Sequence, residues 1–239
     1  PMTSCAFLAL LRVYRICIAG GESYPRGMLL ALGLISMGVA GVFVVRQRDF
    51  KRMLAYSSVE HMGILALGLG IGGPAIPGTL FHLVNNGLAK GLMFLTAGNI
   101  HRAYGSKLTD DVAGVRLRLP LSGWLFLLGL LAVTGSPPFG PLLSLFAIVN
   151  AAIAQGRYLV TGLALLFLLL VFLGMGRTVL DVFQGTPSAE AEANPYRDGV
   201  LTGLPVILLF GLVLLLGLYM PPFLGTLLRD ASAYVVLAP

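Results

Sequence analysis

The sequence predicts an all-α polytopic membrane protein of about seven transmembrane segments, one of them a discontinuous helix broken at SPPFGP. Three observations carry this class. Of 239 residues, 57% are hydrophobic and 11% charged, with a mean hydropathy of +0.90; so few charges do not cover a water-facing surface. Several apolar runs approach or exceed the ~20 residues that a helix needs to cross a bilayer. Lysine and arginine gather in short connections between those runs, so the net charge of +6 reads as membrane orientation and not as nucleic-acid affinity.

Residues 2–18 read as the end of a helix, with Arg12 and Arg15 near its exit. Residues 27–45 form a full span, followed by the basic connection RQRDFKR, which reads as a solvated cap. Residues 53–71 return across the membrane to a tight GGPAIPG turn, and 76–100 form the next span. A polar connection covers 101–120. Residues 121–134 and 142–154 are each too short to span alone, and GSPPFGP joins them as two halves of one broken helix. A further span is expected over 157–182, then an acidic loop holding Asp181, Glu190, Glu192 and Asp198, and a last span over 200–220 with a short tail. The expected organisation is a bundle over 1–182, a polar loop over 183–199, and an additional helix with its tail over 200–239. Residue 1 is proline, not methionine, as expected of a fragment or a partly observed subunit.

Connections 46–52 and 101–119 fall on one side and hold Arg46, Arg48, Lys51, Arg52, Arg102, Lys107, Arg116 and Arg118 against Asp49, Asp110 and Asp111. By the positive-inside rule that side is cytoplasmic. The acidic loop breaks the pattern, but acidic residues weigh little in that rule.

Lys90 is the only formally charged residue in 76–100. An ammonium near the bilayer midplane costs roughly 2.5–3.5 kcal/mol on insertion scales, so such a group usually faces a protein interior or a wet cavity. His82 and Asn86 precede it by eight and four residues and share its helix face. Two readings fit: a protonatable relay along that stripe, or a structural lysine paired with a carboxylate on a neighbouring helix. Glu60 and His61, about 12 Å inside the preceding span at ~1.5 Å per residue, form a second candidate pair. Glu60 reads either as part of the relay or as the counter-ion of Lys90. Adjacent positions point about 100° apart, so Glu60 and His61 are not expected to serve one face. Pro137, Pro138, Gly140 and Pro141 cannot sit in an unbroken helix; such a break marks an ion site in many transporters, and the alternative is an inert kink. No ionisable residue lies between Leu119 and Gln155, which argues against a titrating group there. Cys5 and Cys17 make no metal or disulfide spacing and are expected to be buried thiols. With no phosphate-binding glycine loop, cysteine cluster, HExxH or nucleophile motif, no cofactor, metal or catalytic centre is expected in this chain.

RQRDFKRMLAYSSVEHMGILALGLG, then LFHLVNNGLAKGLMFLTAGNI, then TGSPPFGPLLSLF resemble the antiporter-like membrane subunits of complex I, Mrp cation/proton antiporters and membrane-bound hydrogenases. AYSSVEHMG looks most like the hydrogenase-4 / formate hydrogenlyase branch. The resemblance runs from residue 1 to about 180. It implies a fold with two inverted five-helix repeats, of which this chain begins in the eighth helix and keeps the second. It implies that Lys90 relays protons with His82, and that Asn86 stands where a second histidine is common. The family's broken helix usually carries a charged residue after the break, next to the position of Ser144; here Leu145 takes that place. The implied function is a proton-translocating subunit of a redox-driven respiratory or hydrogenase complex. The alternatives are a structural membrane-arm anchor with a degenerate path, or an Mrp-type antiporter subunit. Expected partners are other membrane subunits, peripheral iron–sulfur, hydrogenase or dehydrogenase subunits, and lipid, in the inner membrane of a prokaryote.

Overall fold

Apolar runs separated by glycine, proline and charge clusters leave the backbone one way to satisfy its own polar groups, and the chain takes it. A computed structural model describes residues 2–22 and 24–236. Pro1, Ser23 and residues 237–239 at the end of the expected tail lie outside the described residues, as do the side chains of Met2, Val236 and, in the acidic loop, Glu190. Among the described residues the regular elements are all helices: α1 Met2–Ala19, α2 Tyr24–Val44, α3 Phe50–Ile71, α4 Ala75–Tyr104, α5 Val115–Arg118, α6 Pro120–Val133, α7 Gly140–Ala154, α8 Tyr158–Phe183, α9 Ala189–Ala193, α10 Val200–Leu218 and α11 Pro222–Val236. By length and composition α2, α3, α8 and α10 suffice to cross a membrane. At 30 residues, α4 reaches about 45 Å at ~1.5 Å per residue. It is the central post, packed against α3, α6, α7, α10 and α11.

Local chemistry sets the ends of the two helices that matter most. Asp49 caps α3, its carboxylate accepting from the backbone N–H groups of Lys51 and Arg52 at 2.9 and 3.1 Å. Lys107 Nζ lies 3.4 Å from the same carboxylate, and the 46–50 and 107–109 segments exchange backbone hydrogen bonds. Gly72 and Gly73 adopt positive φ between α3 and α4, a turn only a few residues long that folds the two helices into an antiparallel hairpin.

The broken helix is present. α6 ends at Val133, α7 begins at Gly140, and their lengths of 14 and 15 residues are each short of a full span. The two prolines of the break, Pro137 and Pro138, are exposed, while Gly140, Pro141 and Ser144 are buried. α10 closes over the break. Gly217 lies so near the Pro138 carbonyl that a β-carbon would overlap it, and a β-carbon at Gly140 would overlap the side chain of Asn85.

Three expectations change. The residues after 220 form helix α11, whose Leu228 and Val235 join Phe7, Leu11 and Tyr14 of α1 in one apolar cluster. The PSAEAEANP segment is more than a polar loop: it contains α9, and its carbonyls hold a buried arginine. Arg118 is only 7% exposed and donates Nε to the Ala191 carbonyl and Nη2 to the Asn194 and Tyr196 carbonyls. Asp198 in turn caps α6, accepting from Ser122 N and Oγ at 3.1 and 2.6 Å. The thiols are not buried: Cys5 is exposed and Cys17 half-buried, because α1 packs along limited faces of α2, α3 and α11.

Candidate functional site

The α3–α4 hairpin fixes which side chains meet, because antiparallel helices pair residues equally far from their turn. His61 lies eleven residues before Gly72 and His82 ten after it. Their rings face each other, with His61 Nδ1 3.0 Å from His82 Nε2. One further turn from the hairpin end, Ser57 and Asn86 occupy matching levels; beyond them Lys90 reaches back to α3, donating from Nζ to the Leu54 carbonyl at 3.2 Å. Every one of these polar residues is buried: Ser57, Glu60, His61, His82, Asn85, Asn86 and Lys90.

The third wall is the half-helix after the break. His82 Nδ1 lies 2.9 Å from Ser144 Oγ, and Ser144 Oγ lies 2.9 Å from the Pro141 carbonyl. A carbonyl only accepts, and a hydroxyl has one hydrogen. The arrangement that satisfies both contacts has Ser144 donating to Pro141 O and accepting from His82 Nδ1–H. A neutral His82 then accepts at Nε2 from His61 Nδ1–H. This leaves His61 Nε2 as a buried acceptor without a partner among the described residues. Three side chains from three helices thus form one hydrogen-bonded chain with a single polarity, His61 to His82 to Ser144.

Around that chain sit polar atoms that find no partner among the described residues: Ser57 Oγ, Asn85 Nδ2 and Oδ1, and Asn86 Oδ1. Buried polar atoms are ordinarily matched, by protein or by ordered water, so this concentration marks a hydratable seam between α3, α4 and α7. Lys90 and Asn86 also line a cleft of about 590 Å³ with Thr3, Ser4, Ser58 and Phe94. Lys90 therefore borders this cleft while its ammonium is held by a backbone carbonyl of α3.

The residues expected from sequence fall as follows. Lys90, His82, His61 and Asn86 lie on the facing surfaces of α3 and α4. His61 does serve that surface although Glu60 precedes it, since the hairpin buries both. Glu60 is buried on α3, but no carboxylate comes within 4.0 Å of Lys90 Nζ among the described residues, so the two form no direct ion pair. Ser144 belongs to the histidine chain itself. Leu145, one residue on, points elsewhere and packs into the apolar cluster shared with Leu30, Met37, Ile64 and Ile148. Sequence reasoning passes over Ser57 and Asn85. Their signal is nonetheless present in the chain: Ser57 sits at the hairpin level of Asn86, and Asn85 lies against Gly140 at the break.

Residues 2–174 match the family described as NADH:quinone oxidoreductase/Mrp antiporter, TM. A hydrogenase-4 component F homolog of Methylacidiphilum infernorum is 32% identical over 226 residues, covering 92% of this chain and 46% of that protein. A Na(+)/H(+) antiporter subunit from Alkalihalophilus pseudofirmus is 27% identical over 232 residues, covering 97% of this chain and 47% of that protein. Among solved structures, the membrane-bound sulfane sulfur reductase, an archaeal respiratory membrane complex, contains a chain of the same fold. Its TM-score is 0.84 at 24% identity, covering 97% of this chain and 47% of that one. The chain spans about half the length of the curated relatives it matches.

Proposed function

We propose, from the premise that this chain belongs to the NADH:quinone oxidoreductase/Mrp antiporter transmembrane family, that it carries protons within a membrane subunit of a redox-driven complex. The observation that carries this reading is the polar chain His61–His82–Ser144 beside Lys90, in a multi-pass membrane protein where each such group is expensive. A proton arriving at His61 Nε2 releases the Nδ1 proton to His82 Nε2. His82 then releases its own Nδ1 proton to Ser144 Oγ, whose hydroxyl turns from the Pro141 carbonyl and gives its original proton to water at the break. Lys90 loads and unloads at the cleft end, with Glu60 as the charge nearest to it in effect. The chain itself holds neither cofactor nor catalytic centre in this reading, and the electron chemistry belongs to peripheral iron–sulfur, hydrogenase or dehydrogenase subunits. The 32% identity to a hydrogenase-4 component favours the hydrogenase-4 / formate hydrogenlyase branch. Residues 1–182 act as the conducting bundle and 200–239 as an added flank, in a prokaryotic inner membrane with 46–52 and 101–119 cytoplasmic.

The test is proton pumping by the assembled complex in liposomes, followed with a pH-sensitive dye alongside electron transfer. Lys90→Ala and His82→Ala should each abolish pumping; wild-type pumping in both variants would refute the relay. One observation favours a second reading, a structural anchor whose path has decayed: Leu145 is packed among aliphatic side chains where a charged group would be costly. In that case Leu145→Glu leaves pumping unchanged at its low level. Counter-transport of sodium in the same liposomes would instead favour the Mrp-type exchanger.

A further inference from the structure

Two cavities on the face formed by α2 and α8 lie end to end, and they differ in chemistry. The first is an apolar groove of about 420 Å³ whose walls include Gly38, Val39 and Phe43 of α2 and Phe167 of α8. A β-carbon at Gly38 would press on the Phe167 ring at 3.2 Å, so the glycine lets the two helices approach while the side chains around it leave a furrow. Val39 and Phe43 are 43% and 57% exposed on this membrane-facing surface. The second is a polar cleft of about 400 Å³ at the end of the same two helices, lined by Arg46, Thr109, Arg177 and Asp181 among others.

The charges in the cleft are unequal. Arg48 is already matched by Asp110 at 3.2 Å. That leaves Arg46, Arg177 and Asp181, with no carboxylate within 4.0 Å of either arginine among the described residues. One unit of positive charge remains. Groove and cleft centres are separated by roughly eight to thirteen residues along the helices, or about 12–20 Å at ~1.5 Å per residue. Half of a ~30 Å hydrocarbon core has that thickness.

We propose that this face binds a phospholipid of the leaflet next to the basic loops, an acyl chain in the α2–α8 groove and the phosphate between Arg46 and Arg177. Basic pockets at the ends of transmembrane helices recognise anionic headgroups in this way. At an exposed site the positive charge supplies most of the attraction to phosphate, which lysine as well as arginine provides. The site shares no lining residue with the Lys90 cleft and contains neither histidine, so it stands whether or not the chain conducts protons.

The experiment uses the assembled complex in a neutral detergent, with its unfolding midpoint read while lipid is added. Short-chain phosphatidylglycerol should raise the midpoint. A short-chain diacylglycerol, which has no phosphate, and inorganic phosphate, which has no chain, should each do so far less. Arg46→Gln with Arg177→Gln, and separately Val39→Trp, which fills the furrow with both arginines intact, should each raise the phosphatidylglycerol needed by tenfold or more. Arg177→Lys should keep most of the response. All three side chains replaced are exposed, so folding is not at stake. Should the double glutamine variant fail to assemble, the Arg177→Gln and Arg177→Lys pair decides alone. Equal responses in wild type and variants would overturn the proposal. So would inorganic phosphate acting as well as the lipid. Loss of a neighbouring subunit from the Val39→Trp complex with an unchanged lipid response would also overturn it, by making the groove a protein interface.

Discussion

His61 Nδ1 stands 3.0 Å from His82 Nε2 across the α3–α4 hairpin, and His82 passes the contact on to Ser144 at 2.9 Å. Because His61 Nδ1 donates what His82 Nε2 accepts, those two nitrogens satisfy each other. Replacing one strands its neighbour in a buried site, at about 1–3 kcal/mol. His61→Phe and His82→Phe should each lower the unfolding midpoint of the complex. The double variant should fall short of their sum by about 0.5–3 kcal/mol of coupling. Additive effects would mean that the rings do not exchange a hydrogen bond.

Lys90 offers a sharper test than removal. Arginine keeps the positive charge but cannot give up its proton in a protein. Lys90→Arg should therefore assemble normally and lose proton pumping by about tenfold or more, as expected when a proton-transfer group is lost. If Lys90 is only a counter-charge to Glu60, pumping in this variant stays near wild type.

Asp49 closes the N-terminus of α3 with its side chain and meets Lys107 from the facing loop. Asp49→Ala should destabilise by about 1–2 kcal/mol, whereas Asp49→Asn, also a good cap, should lose only part of that. Thermal unfolding of the two variants in one detergent orders them.

Arg118 makes three hydrogen bonds to carbonyls of the 189–196 segment. Lysine has one point of charge where arginine has a planar fork. Arg118→Lys should leave that segment open to limited proteolysis between α8 and α10, with cleavage faster by about tenfold. Protection equal to wild type would show that the fork is dispensable.

Much of this is legible in the chain. The break at 135–141 follows from three prolines and two glycines, and the spans from hydropathy alone. Lys90, His82 and Asn86 are recoverable because one helix at fixed pitch aligns them. What single-helix geometry cannot give is the partner across the gap. Glu60 and His61 diverge on their own helix, yet packing on both sides buries both, so direction on a wheel does not decide exposure. The turn at Gly72 and Gly73 holds the missing information, since it sets which level of α3 meets which level of α4. Arg118 looks like a solvated loop charge because nothing in its neighbourhood foretells carbonyls arriving from more than seventy residues away. The helical tail escapes notice for the opposite reason: α11 carries Arg229 and Asp230 within an apolar pattern that finds its complement only against α1 and α4.

The hairpin turn acts as an origin from which the whole polar ladder is measured. Adding one residue between Gly72 and Pro74 would leave both helices, their hydropathy and their caps intact, yet every rung from His61–His82 to Leu54–Lys90 would fall out of step together. A three-residue bend well removed in sequence from the histidines and Lys90 therefore holds the alignment on which proton passage would depend.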